Sequence, residues 1–128
     1  MNIKPEQVDN IVKSLPQNIR GAVIYGSNEG MVSTISQQFI GAISKDLYDA
    51  FHVSYLDMSD IISDVGSLYA EFNAQSLMGG RRVVVIKEAT NQLTKQLREL
   101  LDSSSSDTLL VITSSRISSY SFNFRERN

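Results

Sequence analysis

A three-layer α/β sandwich with a mostly parallel sheet is the fold class this sequence predicts, on three observations. Short runs rich in β-branched, aromatic or other apolar residues recur at GAVIY, FHVSYL, RVVVIK and TLLVIT. Stretches with apolar residues at helical spacing lie between them. Strands separated by helix-length connections pair in parallel through right-handed crossovers, which leaves helices on both faces of the sheet. At 128 residues the chain is one domain, long enough to bury an ordinary core, and it shows no internal repeat.

Taken in order, PEQVDNIVKSL at 5 to 15 opens with Pro5 in a first helical turn, places Val8, Ile11, Val12 and Leu15 on one face, and is closed by Pro16. Ala22 to Tyr25 reads as a buried strand running into a Gly26-Ser27-Asn28 turn. From Glu29 to about Leu47 a helix carries Val32, Ile35, Phe39, Ala42 and Ile43 on one stripe, with Gly41 costing about 1 kcal/mol relative to alanine. Residues 51 to 56, FHVSYL, alternate as an edge or half-exposed strand does. A single helix is predicted from the Asp57–Asp60 region through Ile61, Val65, Leu68 and Phe72, steps of four, three and four. The strand Arg82–Lys87 follows, then a helix from about Asn91 to Asp102 with Leu93, Leu97, Leu100 and Leu101 inward, the loop SSSSD, and a strand at 108 to 113. Residues 116 to 128 form a serine-rich tail, either an added edge strand or a disordered stub, after a domain covering 1 to 115.

The absence of cysteine excludes thiol catalysis, zinc–thiolate sites and disulfide frameworks, and fits a reducing cytoplasm. The N-terminus lacks the basic-then-apolar order of a signal peptide, and VVVI at 83 to 86 is far too short to cross a bilayer. The reading is a soluble, cytoplasmic protein. Net charge is −2 and the sequence pI about 5.3. Residues 1 to 80 carry four Lys/Arg against nine Asp/Glu, and the remainder eight against five. This mild split gives no basic stripe for duplex binding.

The turn YGSNEGMVSTI at 25 to 35 occupies the place of a phosphate loop, yet Gly26 and Gly30 are four apart and no lysine follows. A working loop of that kind needs backbone N–H groups, a neutralising lysine and a metal-holding hydroxyl. Gly26, Ser27, Asn28 and Gly30 therefore read as a degenerate nucleotide loop, with Asn28 or Glu29 capping the helix. Asp57 and Lys87, at strand ends, suggest a phosphoacceptor site but lack the acidic pair that would hold its metal; Asp57 reads as a helix-start residue. His52 stands without a catalytic or metal partner at useful spacing and reads as a solvated edge residue. No motif for enzymatic chemistry is present, and no cofactor or metal is expected.

Leu77-Met78 remains, beyond the last apolar position of the preceding helix and ahead of Gly79-Gly80, which lets the chain turn sharply. Two readings stay open: the pair folds back over the sheet edge, as loop apolar residues usually do, or it is exposed as a soft contact for another protein. Arg81-Arg82 reads as a solvated strand entrance.

The stretch AQSLMGGRRVVV at 74 to 85, with GSNEG after the first strand, FHVSYLD, and DTLLVITSS, resembles the N-terminal domain of the bacterial DNA polymerase III delta subunit, alphaproteobacterial type. The likeness covers about residues 16 to 115. It implies an AAA+ core that has lost its ATP site and a non-catalytic clamp-loader subunit of the DNA polymerase III holoenzyme, which as a whole is a DNA-directed DNA polymerase. The resemblance implies binding of the β sliding clamp by Leu77 and Met78, where phenylalanine is commoner than methionine, with Gln75 and Ser76 orienting the pair and Phe72 anchoring the helix. Other clamp-loader subunits are the implied partners of the full-length protein. The tail departs from the family's continuation into a helical lid and collar domain, so a truncated, frameshifted or degraded version is expected, retaining clamp contact but not assembly. The rivals are a nucleotide-binding or phosphotransfer domain and a vestigial fragment without a partner.

Overall fold

The computed structural model describes residues 7–13, 15, 19–26, 28–87, 94–103 and 106–114. Its elements are α1 (Val8–Lys13), β1 (Gly21–Tyr25), α2 (Glu29–Ile43), β2 (Val53–Asp57), α3 (Met58–Ser63), α4 (Val65–Asn73), β3 (Val83–Lys87), α5 (Thr94–Ser103) and β4 (Leu109–Ser114). The four strands form one parallel sheet in the order β1-β4-β3-β2. The predicted α/β sandwich is therefore the observed one. Pro5, Pro16, Leu93 and the tail from 116 onward lie outside the described residues.

Alternation along the strands divides the core into two layers. Val84, Ile86, Leu110 and Ile112 face α3, α4 and α5 through Met58, Ile61, Leu68, Phe72, Leu97, Leu100 and Leu101. Val53, Val83, Val85, Leu109 and Val111 face α1 and α2 through Val8, Phe39 and Ile40. The chain runs from β1 across to β2 at the far edge, then returns through β3 to β4. Crossovers of one hand place the helices of those two directions on opposite faces, as found. β3 and β4, covered on both sides, are continuous apolar runs; β2, at the edge, alternates.

Three local predictions need correction. The helix foreseen from Asp57 through Phe72 is two helices, broken at Asp64, whose φ of −150° and ψ of 90° are extended. The Asp64 carboxylate accepts from the Gly66 N–H at 3.0 Å, so the side chain caps a new helix, and Gly66 adds the low helix propensity that makes a break cheap. Helix α2 stops at Ile43, short of Leu47. Beyond it, Asp46 and Asp49 carboxylates accept from the N–H groups of Tyr48 and Phe51 at 2.9 and 3.0 Å, turns that compete with helix. Arg82 lies before β3 and is buried, not a solvated entrance.

Candidate functional site

The amino ends of β2 and β3 carry the most exposed apolar side chains in the described structure apart from Tyr48. Leu77 is 92% exposed and Met78 69%. Of the two readings left open by the sequence, the pair is out in solvent. Its backbone is a tight turn: Gly79 N–H donates to Ser76 C=O at 3.0 Å, and Met78 N–H donates to Ser76 Oγ at 3.1 Å. Leu77 and Met78 occupy the two central positions. Gly79 and Gly80 then adopt φ of +74° and +87°, a region that side chains with a Cβ avoid, so these two glycines let the chain re-enter the sheet.

Beneath this knob lies a polar scaffold. The Arg82 guanidinium donates to the Glu71 and Ala74 carbonyls, to Ser54 Oγ at 2.7 Å and to the Glu71 carboxylate at 3.0 Å. Ser106 Oγ donates to Phe72 C=O at 2.9 Å. Carbonyls at the end of α4 that have no intrahelical partner are thus met by side chains from the entrance of β3 and the α5–β4 loop. The Ser54 hydroxyl first, and Arg82 second, hold the Glu71 carboxyl below its ordinary range. Arg81 donates to the Asp107 and Ile19 carbonyls, tying the entrances of β3, β4 and β1 together; burial lowers its pKa.

His52, immediately before β2, completes the scaffold. Its Nε2 lies 2.8 Å from Gly79 C=O and 3.3 Å from Ser76 Oγ, and its Nδ1 lies 2.7 Å from Asp49 Oδ2. The expectation of a solvated edge residue is overturned: the ring buttresses the knob.

The resemblance-derived residues are thus brought together with distinct placements. Leu77 and Met78 form the tip, Ser76 shapes the turn, Gln75 is exposed beside it, and Phe72 is fully buried in the core. Phe72 fixes the helix that carries the knob and presents no surface of its own. Sequence reasoning missed Arg82 and His52. For Arg82 a signal existed, since a cation adjoining a fully apolar strand needs a partner.

The opposite, carboxyl end of the sheet holds the turn that begins at Gly26. Gly26 N–H donates to Ser114 C=O at 3.2 Å, and Asn28 Oδ1 accepts from Met31 N–H at 3.1 Å, the capping expected of it. Gly30 opens α2 beside an exposed Glu29; Ser27 lies outside the described residues. Asp57 is exposed at the N-cap position of α3 without a capping side-chain bond. Its register partner Lys87 lies over the Tyr55 ring at 4.8 Å. Among the described residues no group of three acidic, His or Cys side chains could hold a metal, and no helix is long and apolar enough to cross a membrane.

With this geometry in place, comparison with protein families is decisive. Residues 23–124 match the family described as DNA polymerase III, delta subunit. The chain belongs to that family. Curated proteins give no match. The family match spans both ends of the sheet, the Gly26–Gly30 turn and the knob with its Arg82 and His52 supports. Membership in the delta subunit family ties the chain to DNA replication and to the clamp-loader part of the polymerase III assembly.

Proposed function

We propose that this delta-family domain grips the β sliding clamp by inserting Leu77 and Met78 into an apolar pocket and helps open the ring for loading onto DNA. The carrying observation is the exposure of this adjacent pair at the tip of a turn whose base is buried and polar. Two apolar side chains in water gain roughly 1.5–3 kcal/mol each on complete burial. Because the turn is already formed, little of that gain is lost in ordering it. Methionine at the second position fills a pocket through a flexible thioether instead of an aromatic face.

Opening follows from differential affinity. A grip that contacts the sprung clamp better than the closed one shifts the population toward the open ring by that difference, and a grip with equal affinity for both shifts nothing. The chain itself needs no ATP for this. Nucleotide hydrolysis belongs to partner subunits, the protein acts in the cytoplasm, and the described domain makes no strong direct contact with nucleic acid.

The test is to mix the purified protein with its cognate clamp and measure binding. The wild type forms a complex, and Leu77→Ala with Met78→Ala weakens it at least about 100-fold while the melting temperature stays within about a degree, since surface truncations change stability little. Absence of wild-type binding defeats the proposal and favours a vestigial fragment.

A further inference from the structure

The ring of His52 is held between two acceptors. Gly79 C=O can only accept, so the 2.8 Å contact with Nε2 requires a proton on that nitrogen. Asp49 Oδ2, 2.7 Å from Nδ1, belongs to a carboxylate that also accepts from Ser44 Oγ at 3.0 Å and, through Oδ1, from Phe51 N–H at 3.0 Å. A carboxylate so supplied with donors stays ionised and takes the Nδ1 proton as well. Both contacts exist together only in the imidazolium. We propose that His52 is the positioning residue of the knob, its doubly protonated ring locking the Ser76–Gly79 turn to the Asp49 loop so that clamp binding is strong with the ring charged and slackens once it is neutral.

This rests on the clamp-gripping reading and deepens it. When the ring loses a proton, Asp49, the stronger acceptor, keeps Nδ1–H. Nε2 then turns a lone pair toward Gly79 C=O, and the tie becomes repulsive. The Ser76 hydroxyl, 3.3 Å away, can donate to that lone pair while still accepting from Met78 N–H, so the ring's hold passes from Gly79 to Ser76 and the Gly79 end of the turn is released. The charged groups acting on the ring are Asp49, from the loop before β2, which favours the cation, and Arg82, from the entrance of β3, which opposes it; Glu71 of α4 is engaged with Arg82. Consistent with the geometry, the Gly79 carbonyl foremost and then Asp49 raise the His52 pKa above 6.5. The His52 contact is likewise the main influence lowering Asp49. The tie is therefore complete below about pH 6.5 and is lost as pH rises through the higher folded-state value.

Two measurements test it. In the free protein, an NMR titration follows the His52 ring with the amides of Leu77, Met78 and Gly79. The amides are expected to move with the ring's midpoint, above the ordinary histidine value; amides that stay still through the ring's titration overturn the tie. Clamp affinity across the same pH range is expected to fall roughly three- to tenfold as the ring becomes neutral. His52→Gln, whose amide donates without titrating, is expected to remove that step while retaining the melting temperature. A step that survives in His52→Gln, or none in the wild type, overturns the proposal. If the wild type never binds the clamp, the clamp reading fails, and the ring and amide titration still decides whether His52 holds the knob.

Discussion

The two ends of the sheet both carry glycine-containing loops, and they are built for opposite purposes. At the carboxyl end, three N–H groups around the turn are already used: Met31 by the Asn28 side chain, Val32 by the Asn28 carbonyl and Gly26 by Ser114. Glu29 adds a negative charge where the helix dipole would otherwise attract an anion. At the amino end, polar groups are just as fully used, but underneath the loop, and what faces outward is Leu77 and Met78. A loop that satisfies the amides of Gly26, Met31 and Val32 from within keeps those three from an anion. One that satisfies its base can spend its tip on an apolar contact.

The sharpest way to break this contrast is Arg82→Met, which keeps the buried stem and removes the guanidinium donors beneath the knob. Glu71 and Ala74 carbonyls lose this donor, Ser54 Oγ keeps only its bond to the Glu71 carboxylate, and Glu71 loses its counterion. Arg82 is 7% exposed but Glu71 40%, so water takes over part of the carboxylate's needs. The expected loss is about 2–3 kcal/mol, read from urea unfolding at neutral pH. Because Ser54 and Arg82 depress the Glu71 pKa, the Arg82 contribution is present above pH 4.5 and declines as pH falls through the lower folded-state value. The gap between wild type and variant therefore narrows in acid. Clamp binding weakens as well, since the helix end that carries the turn is no longer fixed.

Arg82 and His52 also show where the sequence stopped being readable. The strands were legible because parallel, doubly covered strands are written as apolar runs, and VVVI and LLVI are such runs. The edge character of β2 was legible from its alternation. The family resemblance, carried by AQSLMGGRRVVV, singled out the pair that the structure leaves in solvent. His52 was not legible, because its role depends on the register that sets Val53 against Val83 and so brings residue 52 beside residues 79 to 82. Residues 27 apart acquire a meaning only when two strands are aligned. The break at Asp64 was a different failure: Asp64 and Gly66 were visible, but the apolar spacing of Ile61, Val65, Leu68 and Phe72 outweighed them, and that spacing survives across two helices because all but the half-buried Val65 are buried.

A smaller effect belongs to the carboxyl end. Asn28→Ala removes the acceptor for Met31 N–H at an exposed helix start, with an expected cost of about 1 kcal/mol. In thermal unfolding that is a fall of about 3–5 °C. Clamp affinity is expected to be unchanged, because the cap lies at the far end of the sheet from Leu77. Equal damage to clamp binding by Asn28→Ala and by Arg82→Met would mean that the two ends are coupled and that the contrast between them is wrong.

The smallest expected effect is none at all. ATP with magnesium added to the free protein should leave its melting temperature where it was, since a ligand stabilises a fold only by binding the native state, and occupancy at 100 times a dissociation constant would add about 2.7 kcal/mol. The turn at Gly26 to Gly30 has no lysine to neutralise phosphates, and Met31, where the chain enters α2, is half exposed and apolar. A dose-dependent rise in melting temperature would show that the amides tied to Asn28 and Ser114 can be released to an anion. It would then return the carboxyl end of the sheet to the nucleotide-binding role that its capping argues against.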